Sequence, residues 1–527
     1  MSTLASELAT SPTDGLASGP VSELIRKRSV SLGDKTYIEH ARTDRSLSFR
    51  GLDLAVDQWS VRLQSAGIQI GSTVGLVIHD PIEFSVAFLA TMASGRWAAP
   101  LDPSTPVLGA GGLAAAIARV HADVVIADHA LPEGVDVPWV VIGQASQERS
   151  NELDASSPLM SASGGAVLAS SGTTGVPKVI PLHQDQLLHA ARCVSEHHQL
   201  TSDDRCFNSL PLFHINAEVV GLLTSLLAGS TLVLDDRFHR THFWQMMAEH
   251  QITWINAVPA IISRLADPGV DETIPSRIRF IRSASAPLPV ATSTRFEANT
   301  GIPVVETYGM TEAASQITAN PISGIRKPGS VGRPVGVELR IVAGGGSTAG
   351  PAAQVGVNNV GHVEIRGPSV ITAYGGDHHA DRIDAEGWLQ TGDLGHFDED
   401  GYLYLDSRID DVINRGGEKV FPREIEEMVL VDPDVAAVAV VAAPDPELGH
   451  VPMAFLVLHG VEDESGRDKA AETVARIRDR LSSTLVKSKR PISISVVREL
   501  PAGATGKVQR HALRESGVAV IYHLECR

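Results

Sequence analysis

Along the first third of the chain, short apolar runs rich in β-branched residues alternate with stretches of helical period. This alternation restricts the possible folds more than any other feature. Residues 72–78, 124–126 and 139–142 read as buried strands, while 53–63 and 82–93 place apolar side chains at helical spacing. Strands separated by helices cannot pair as hairpins; they line up as largely parallel sheet with helices on its faces, the α/β class. A second run has the same texture, with strand candidates at 206–212, 230–234, 253–258 and 279–283 around a helical 218–227. It predicts a second α/β sheet packed on the first with a crevice between them. Asp102-Pro103-Ser104-Thr105-Pro106 is a loop signal.

The texture then changes. Residues 337–371 alternate strand and turn, with a Gly/Ala-rich hairpin loop at 342–350, and predict a β-rich subdomain over about 337–405. Past residue 411, a helix at 422–430, strands at 435–441 and 453–458 and an amphipathic helix at 468–485 form a small α+β unit of about 115 residues, enough to fold on its own. The expected layout is a flexible leader (1–20), a large N-terminal domain (21–408), a hinge (409–411) and a small mobile C-terminal domain (412–527). At 527 residues the chain is too long for a single core.

Composition removes several classes of function. Acidic residues outnumber basic ones by 62 to 44, a net charge of −18, so no surface for polyanions is implied and nucleic acid is not an expected partner. The three cysteines, Cys193, Cys206 and Cys526, have no metal-ligand or disulfide spacing, which fits a reducing cytoplasm. The leader lacks a basic start and an apolar core, and the most apolar stretch, 86–101, is interrupted by Arg96, so no membrane segment is expected.

One loop carries concentrated chemistry. Ser170-Ser171-Gly172-Thr173-Thr174-Gly175-Val176-Pro177-Lys178 follows a compact apolar strand, Gly165-Ala166-Val167-Leu168-Ala169, and a helix can start near 187. Glycines let backbone N–H groups approach phosphate oxygens, hydroxyls donate and lysine neutralises charge. The spacing is not that of a P-loop, and Ser/Thr/Gly-rich loops often are plain linkers. Further along stand Tyr308-Gly309-Met310-Thr311-Glu312, Thr391-Gly392-Asp393, Arg408 and Gly506-Lys507. Alone, each has an ordinary reading: a Thr-Glu pair as a helix cap, Thr-Gly-Asp as a turn after an exposed Gly387-Trp388-Leu389, a terminal lysine as solvated.

Together and in this order, the motifs resemble the acyl-adenylate-forming superfamily of AMP-dependent synthetases and ligases over about residues 21–510. Pro211-Leu212-Phe213-His214, Phe280-Ile281-Arg282-Ser283 and Ile413-Asn414-Arg415-Gly416-Gly417-Glu418-Lys419 are similar to its small-acid acyl-CoA synthetases. The resemblance implies two half-reactions: a carboxylate attacks the α-phosphate of Mg·ATP to give an acyl-adenylate and pyrophosphate, and coenzyme A then displaces AMP. It implies that Ser170, Ser171, Gly172, Thr173, Thr174, Gly175 and Lys178 hold the β- and γ-phosphates, that Tyr308 and Gly309 line the nucleotide site, that Thr311 contacts the α-phosphate and that Glu312 ligates Mg²⁺. Asp393 would take the ribose hydroxyls, Arg408 ribose and phosphate oxygens, and Lys507 would swing in with the small domain for adenylation only. Asp410 would be the hinge, and Gly416 and Gly417 would line the pantetheine tunnel.

His214 matches the family's gating histidine or aromatic; its plain alternative is packing beneath the loop. Asn216 and Glu218, with Ser283, Ser285 and Ser315 on the opposite wall, would furnish a pocket for a small or polar acid, since buried polar groups left unpaired penalise an alkyl tail. Glu218 has two open readings, a solvent-facing helical position or a pocket carboxylate that pairs with a substrate ammonium or accepts from an aniline. Val179 replaces a more usual glycine and is expected to tighten a turn there. Two further functions stay open beside the CoA ligase. One is an adenylating ligase with an amine or carrier-protein acceptor, including adenylation of nitrite to diazotise an aryl amine; the other is a non-catalytic nucleotide-binding homologue. Oligomeric state is not legible.

Overall fold

The computed structural model describes residues 19–106, 112–131, 135, 137–141, 164–170, 178–267, 269, 272–344, 354–376, 379–502, 508–514 and 519–526. The chain divides into two compact units, one of residues 1–237 and 373–380, the other of residues 238–372 and 381–527.

In the first unit, β1 (Thr36–His40), β2 (Ser46–Ser48), β3 (Thr73–Val77), β4 (Trp97–Pro100), β5 (Val124–Ala127), β6 (Trp139–Val141), β7 (Gly165–Ser170), β8 (Lys178–His183), β9 (Arg205–Asn208) and β10 (Thr231–Leu234) alternate with helices. One sheet has the order β6-β5-β3-β4-β7-β8. Its strands β3, β4 and β5 run parallel and are buried along their whole length, which is why they read as unbroken apolar runs. The helix Pro81–Ala93 between β3 and β4 is buried on nearly every side, and Asp80 caps it by accepting from the N–H groups of Ile82 and Glu83. β9, β10 and β1 also run parallel, with β2 antiparallel on β1.

Several expectations change here. The glycine-rich loop joins two antiparallel strands, because β8 pairs with β7 from Lys178 opposite Ser170 to His183 opposite Gly165, and the helix begins only at Gln184. Val179 therefore sits in a strand, not a turn, opposite Ala169 and bridged to Gly375. The strand expected at 206–212 ends at Asn208, before Pro211, which has no N–H for a ladder. The expected helix at 218–227 is a π-helix over Asn216–Leu223 followed by an α-turn over Thr224–Ala228. The Thr224 hydroxyl donates to the Val219 carbonyl at 2.8 Å, pairing a carbonyl within that wide turn.

In the second unit, β11 (Trp254–Ala257), β12 (Phe280–Ser283) and β13 (Val304–Met310) run parallel. The chain then reverses through a 3₁₀ turn, Thr311–Ala313, into β14 (Ser315–Ala319), which is antiparallel to β13 and paired with β15 (Arg333–Pro334). The β-rich stretch is an antiparallel sheet of β16 (Glu338–Val342), β17 (Gly361–Arg366), β18 (Leu389–Phe397) and β19 (Leu403–Arg408). The hairpin loop expected at 342–350 falls largely outside the described residues. Trp388, read as exposed, is buried, because the Arg340 and Arg366 guanidiniums lie 4.2 and 4.7 Å from its ring.

The C-terminal stretch contributes β20 (Ile413–Arg415), β21 (Glu418–Val420), β22 (Val435–Asp445), β23 (Gly449–Leu458), β24 (Ser493–Val497) and β25 (Val520–Glu525) in one sheet. The helices Pro422–Leu430 and Arg467–Thr484 accompany it, and Ile425, Val429, Val474 and Ile477 close a core with Leu456 and Val496. The α/β class and the α+β C-terminal part agree with the sequence reading.

Candidate active site

The second unit holds six of the expected nucleotide residues, Tyr308, Gly309, Thr311, Glu312, Asp393 and Arg408. Tyr308 lies near the end of β13, Asp393 in β18 and Arg408 at the end of β19, where strand pairing sets Asp393 opposite Arg408. The Tyr308 hydroxyl donates to Asp393 Oδ2 at 2.5 Å, and Arg408 Nε lies 3.0 Å from Asp393 Oδ1. Both carboxylate oxygens are thus engaged by fixed partners. Burial and the neighbouring Asp393 push the Tyr308 hydroxyl far above its usual range, so it stays a donor. The Asp393 charge raises the Arg408 pKa, with Tyr308, Asp411 and Glu312 adding to it. Glu312, buried in the 3₁₀ turn that Thr311 opens, therefore belongs to the same electrostatic cluster. Thr-Gly-Asp is not a loop turn but lies inside β18, with Gly392 at φ +83°.

Gly309 has a definite reason to be glycine. A Cβ there would lie 1.6 Å from the Ser315 carbonyl oxygen of β14. That close crossing follows from the tight reversal through Ala314 and Ser315, both in the left-handed region at φ +51° and +97°. Ser315 is buried beside it, Ser283 is fully buried at the end of β12 with its hydroxyl unpartnered, and Ser285 is exposed at φ +74°.

Sequence reasoning missed two buried charged side chains here. Arg282 is 1% exposed and donates to Asn256 Oδ1 at 3.1 Å and Gln316 Oε1 at 3.4 Å, tying β12 to β11 and β14. Glu306, opposite Ser283 on β13, is buried with Oε1 unpartnered. Burial lifts its carboxyl to about 7 against the pull of Arg423 and the Leu288 N–H. A charged residue inside an apolar strand run was the available signal in both cases.

The first unit holds Lys178, His214, Asn216 and Glu218. Lys178 opens β8, and its ammonium lies 5.4 Å from the centre of the Tyr374 ring, a cation–π contact. His214 precedes the π-helix, its Nε2 buried and without a partner; burial lowers its pKa to about 4 despite the charge of Asp102, so the ring is neutral. Asp102, read only as part of a loop, thus bears on the site. Asn216 and Glu218 follow in the π-helix, and Glu218 is 0% exposed with neither carboxyl oxygen partnered. The solvent-facing reading of Glu218 is ruled out. Burial pushes its carboxyl well above the usual range and so favours the neutral acid, a group able both to donate and to accept.

Ser171, Gly172, Thr173, Thr174, Gly175 and Lys507 lie outside the described residues, as does the side chain of Ser170. Asp410 occupies a 3₁₀ turn, Ile409–Asp411, between β19 and β20. Gly416 and Gly417 form the tight turn between β20 and β21 at φ +60° and +93°, with the Gly417 N–H donating to Asn414 Oδ1.

A neutral-acid donor, a neutral imidazole, a carboxylate braced by tyrosine and arginine, and a second buried carboxylate are groups that bind and orient; none is an activated nucleophile. Glu312 and the nucleotide's own phosphates would give the all-oxygen donors that Mg²⁺ requires.

Comparison with known proteins points the same way. Residues 26–375 match the model of the AMP-binding enzyme family and residues 424–507 that of the AMP-binding enzyme C-terminal domain. The chain is 34% identical over 506 residues to sulfoacetate–CoA ligase of Cupriavidus necator, covering 92% of this chain and 96% of that one. It superposes on o-succinylbenzoate coenzyme A synthetase of Bacillus subtilis, solved with ATP and magnesium, with a TM-score of 0.77 at 26% identity over 93% of this chain and 98% of that one. An anthranilate CoA ligase solved with anthranoyl-AMP gives a TM-score of 0.80 at 25% identity, covering 94% of this chain and 96% of that one. Among the described residues no helix is long and apolar enough to cross a membrane. With both of its domain models matched in order, the chain belongs to the AMP-binding enzyme family, the acyl-adenylate-forming ligases.

Proposed function

We propose that this AMP-forming acid–CoA ligase acts on a small or aromatic acid bearing a nitrogen donor, an amine or aniline. The observation that carries the reading is Glu218, fully buried with two unpartnered oxygens one helical turn from His214, whose Nε2 is also unpartnered. An isolated buried carboxyl costs several kcal/mol of order of magnitude unless something completes it. A substrate nitrogen does so, as an ammonium paired to the carboxylate or as an aniline donating to it. The same pair disfavours a long alkyl chain, which would leave both groups unsatisfied.

The adenylation chemistry joins two anions, the substrate carboxylate and the ATP α-phosphate, and the residues are assigned by what that requires. Asp393, with one oxygen held by Tyr308 and the other by Arg408, accepts from the ribose hydroxyls. Arg408 keeps its charge and turns it toward the nucleotide. Thr311 donates to the α-phosphate, Lys178 and its loop neutralise the departing pyrophosphate, and Lys507 supplies charge where the anions meet. Glu312 holds Mg²⁺, which screens the phosphates when bound. Residues 409–411 are the hinge that brings Lys507 in and, after adenylation, exchanges it for the Gly416-Gly417 turn that admits coenzyme A.

ATP–pyrophosphate exchange with matched pairs of acids, each with and without an amino group, tests the substrate. Amino acids or amino-aryl acids are expected to exceed their nitrogen-free partners in kcat/KM by about tenfold or more. Glu218→Leu should erase the difference while exchange with the nitrogen-free acid persists. Equal turnover of both partners by the wild type rejects the nitrogen requirement. Adenylate formation without thioester on adding coenzyme A would instead favour an amine or carrier-protein acceptor.

A further inference from the structure

The order of strands in the first unit creates a second place where a ligand can sit. From β3 the chain passes through the helix Pro81–Ala93 to β4 on one side of β3; it then returns through the helix Leu113–Arg119 to β5 on the other side. These strands are parallel, and the chain leaves β3 toward β4 but leaves β5 toward β6, in opposite directions. In an open α/β sheet such a reversal opens a crevice beyond the carboxyl ends of the two strands that flank it, here β3 and β5.

Three metal-ligating side chains occupy that position. Val77 is paired with Ala127 at the ends of β3 and β5; His79 follows two residues after the first, and Asp128 and His129 follow the second directly. Asp128 Oδ2 accepts from the backbone N–H groups of His79 at 2.6 Å and Asp80 at 3.1 Å, which fixes the carboxylate. Its Oδ1 faces both imidazoles, 2.7 Å from His129 Nδ1 and 3.2 Å from His79 Nδ1. The ring centroids are 4.8 Å apart, and the ligating atoms of all three residues lie within 4.8 Å of one another. Asp80 does not join them, since it caps the helix and pairs with Arg45.

We propose that His79, Asp128 and His129 form a binding site for a divalent transition-metal ion of the Zn²⁺ class, separate from the nucleotide's Mg²⁺. Two imidazoles and one carboxylate are the donors such ions select, while Mg²⁺ prefers oxygen alone. Bonds of about 2.0–2.1 Å in a tetrahedral shell set neighbouring donors about 3.3 Å apart, and Asp128 Oδ1 already lies 2.7 and 3.2 Å from the two Nδ1 atoms. The ion takes the place of the protons between Nδ1 and Oδ1. Each neutral ring keeps its proton by moving it to Nε2, so binding to neutral histidines needs no base. The His79 and His129 side chains are 56% and 40% exposed, which leaves the fourth position to water.

The full-length protein, stripped with chelator and free of nucleotide, is titrated with Co²⁺ and Zn²⁺ in the presence of excess Mg²⁺. The expected result is one Co²⁺ per chain with visible d–d absorption, displaced by Zn²⁺, and a rise in melting temperature with Zn²⁺. His79→Gln and His129→Gln should each abolish the absorption and the Zn²⁺-dependent rise while melting, without metal, as the wild type does. Failure of the wild type to bind either ion overturns the proposal, and so does equal binding by the wild type and a variant carrying both His79→Gln and His129→Gln. ATP–pyrophosphate exchange in Mg²⁺ is unaffected by these variants, so the outcome is independent of the substrate reading.

Discussion

Glu306→Gln should change how stability depends on pH, and the size of the change follows from the structure. The Glu306 carboxyl is buried with one oxygen unpartnered, and burial raises its pKa from 4.5 to about 7. Each unit of pKa is worth about 1.4 kcal/mol, so the folded protein prefers the neutral form by about 3 kcal/mol. The folded state therefore holds this proton more tightly than the unfolded chain. Below about pH 4.5 both states are protonated and nothing is lost. Between about pH 4.5 and pH 7 only the unfolded chain ionises, and stability falls; above pH 7 the loss is complete. Glutamine has nearly the shape of the neutral acid and does not titrate. The difference in unfolding free energy between Glu306→Gln and wild type should then rise from near zero at pH 4.5 to about 3 kcal/mol in favour of the variant at pH 7.5, read from denaturant unfolding across that range. All other titrating groups cancel in the difference. Parallel profiles for the two proteins, or a wild type that gains on the variant as pH rises, would refute the reasoning.

Gly309→Ala places a carbon 1.6 Å from a β14 carbonyl, so β14 must shift; melting is expected to show a loss of about 3 kcal/mol or more, with AMP binding lost alongside. Lys507→Ala is expected to stop ATP–pyrophosphate exchange while sparing thioester formation from supplied acyl-adenylate and coenzyme A; exchange at the wild-type rate would remove Lys507 from adenylation. Asp410→Pro, which fixes φ at the hinge, should do the reverse, retaining exchange and losing thioester.

Tyr308, Asp393 and Arg408, which the structure brings together, were legible only as members of an ordered set of motifs, since each alone has an ordinary reading and they lie far apart in the chain. The α/β alternation was legible more directly: β3 and β5 are buried on both faces, and continuous apolar runs record that. The departures arose where tertiary contact decides. Trp388 looked exposed because the two arginines that cover it stand 48 and 22 residues away in sequence, Arg340 and Arg366. The π-helix at 216–223 has the same apolar content as an α-helix, and nothing in its period separates the two.

The His79–Asp128–His129 cluster shows why strand order, more than strand identity, hides sites from sequence. β3 and β5 were read as strands and β4 was not, and chain order alone does not say that β5 returns to the far side of β3 and not to the outer edge of β4. Had it gone to the outer edge, His79 and Asp128 would be separated by a whole strand, about 4.8 Å farther apart. The two buried carboxyls carry a related lesson about what completes a site. Glu306 has a counter-charge on the helix Pro422–Leu430, Arg423, and its pKa stops at about 7. Glu218 has burial alone acting on it, and its pKa rises well beyond the usual range. The first is balanced from within the protein. The second has no such partner among the described residues, which is why the proposed substrate nitrogen is sought at Glu218 and not at Glu306.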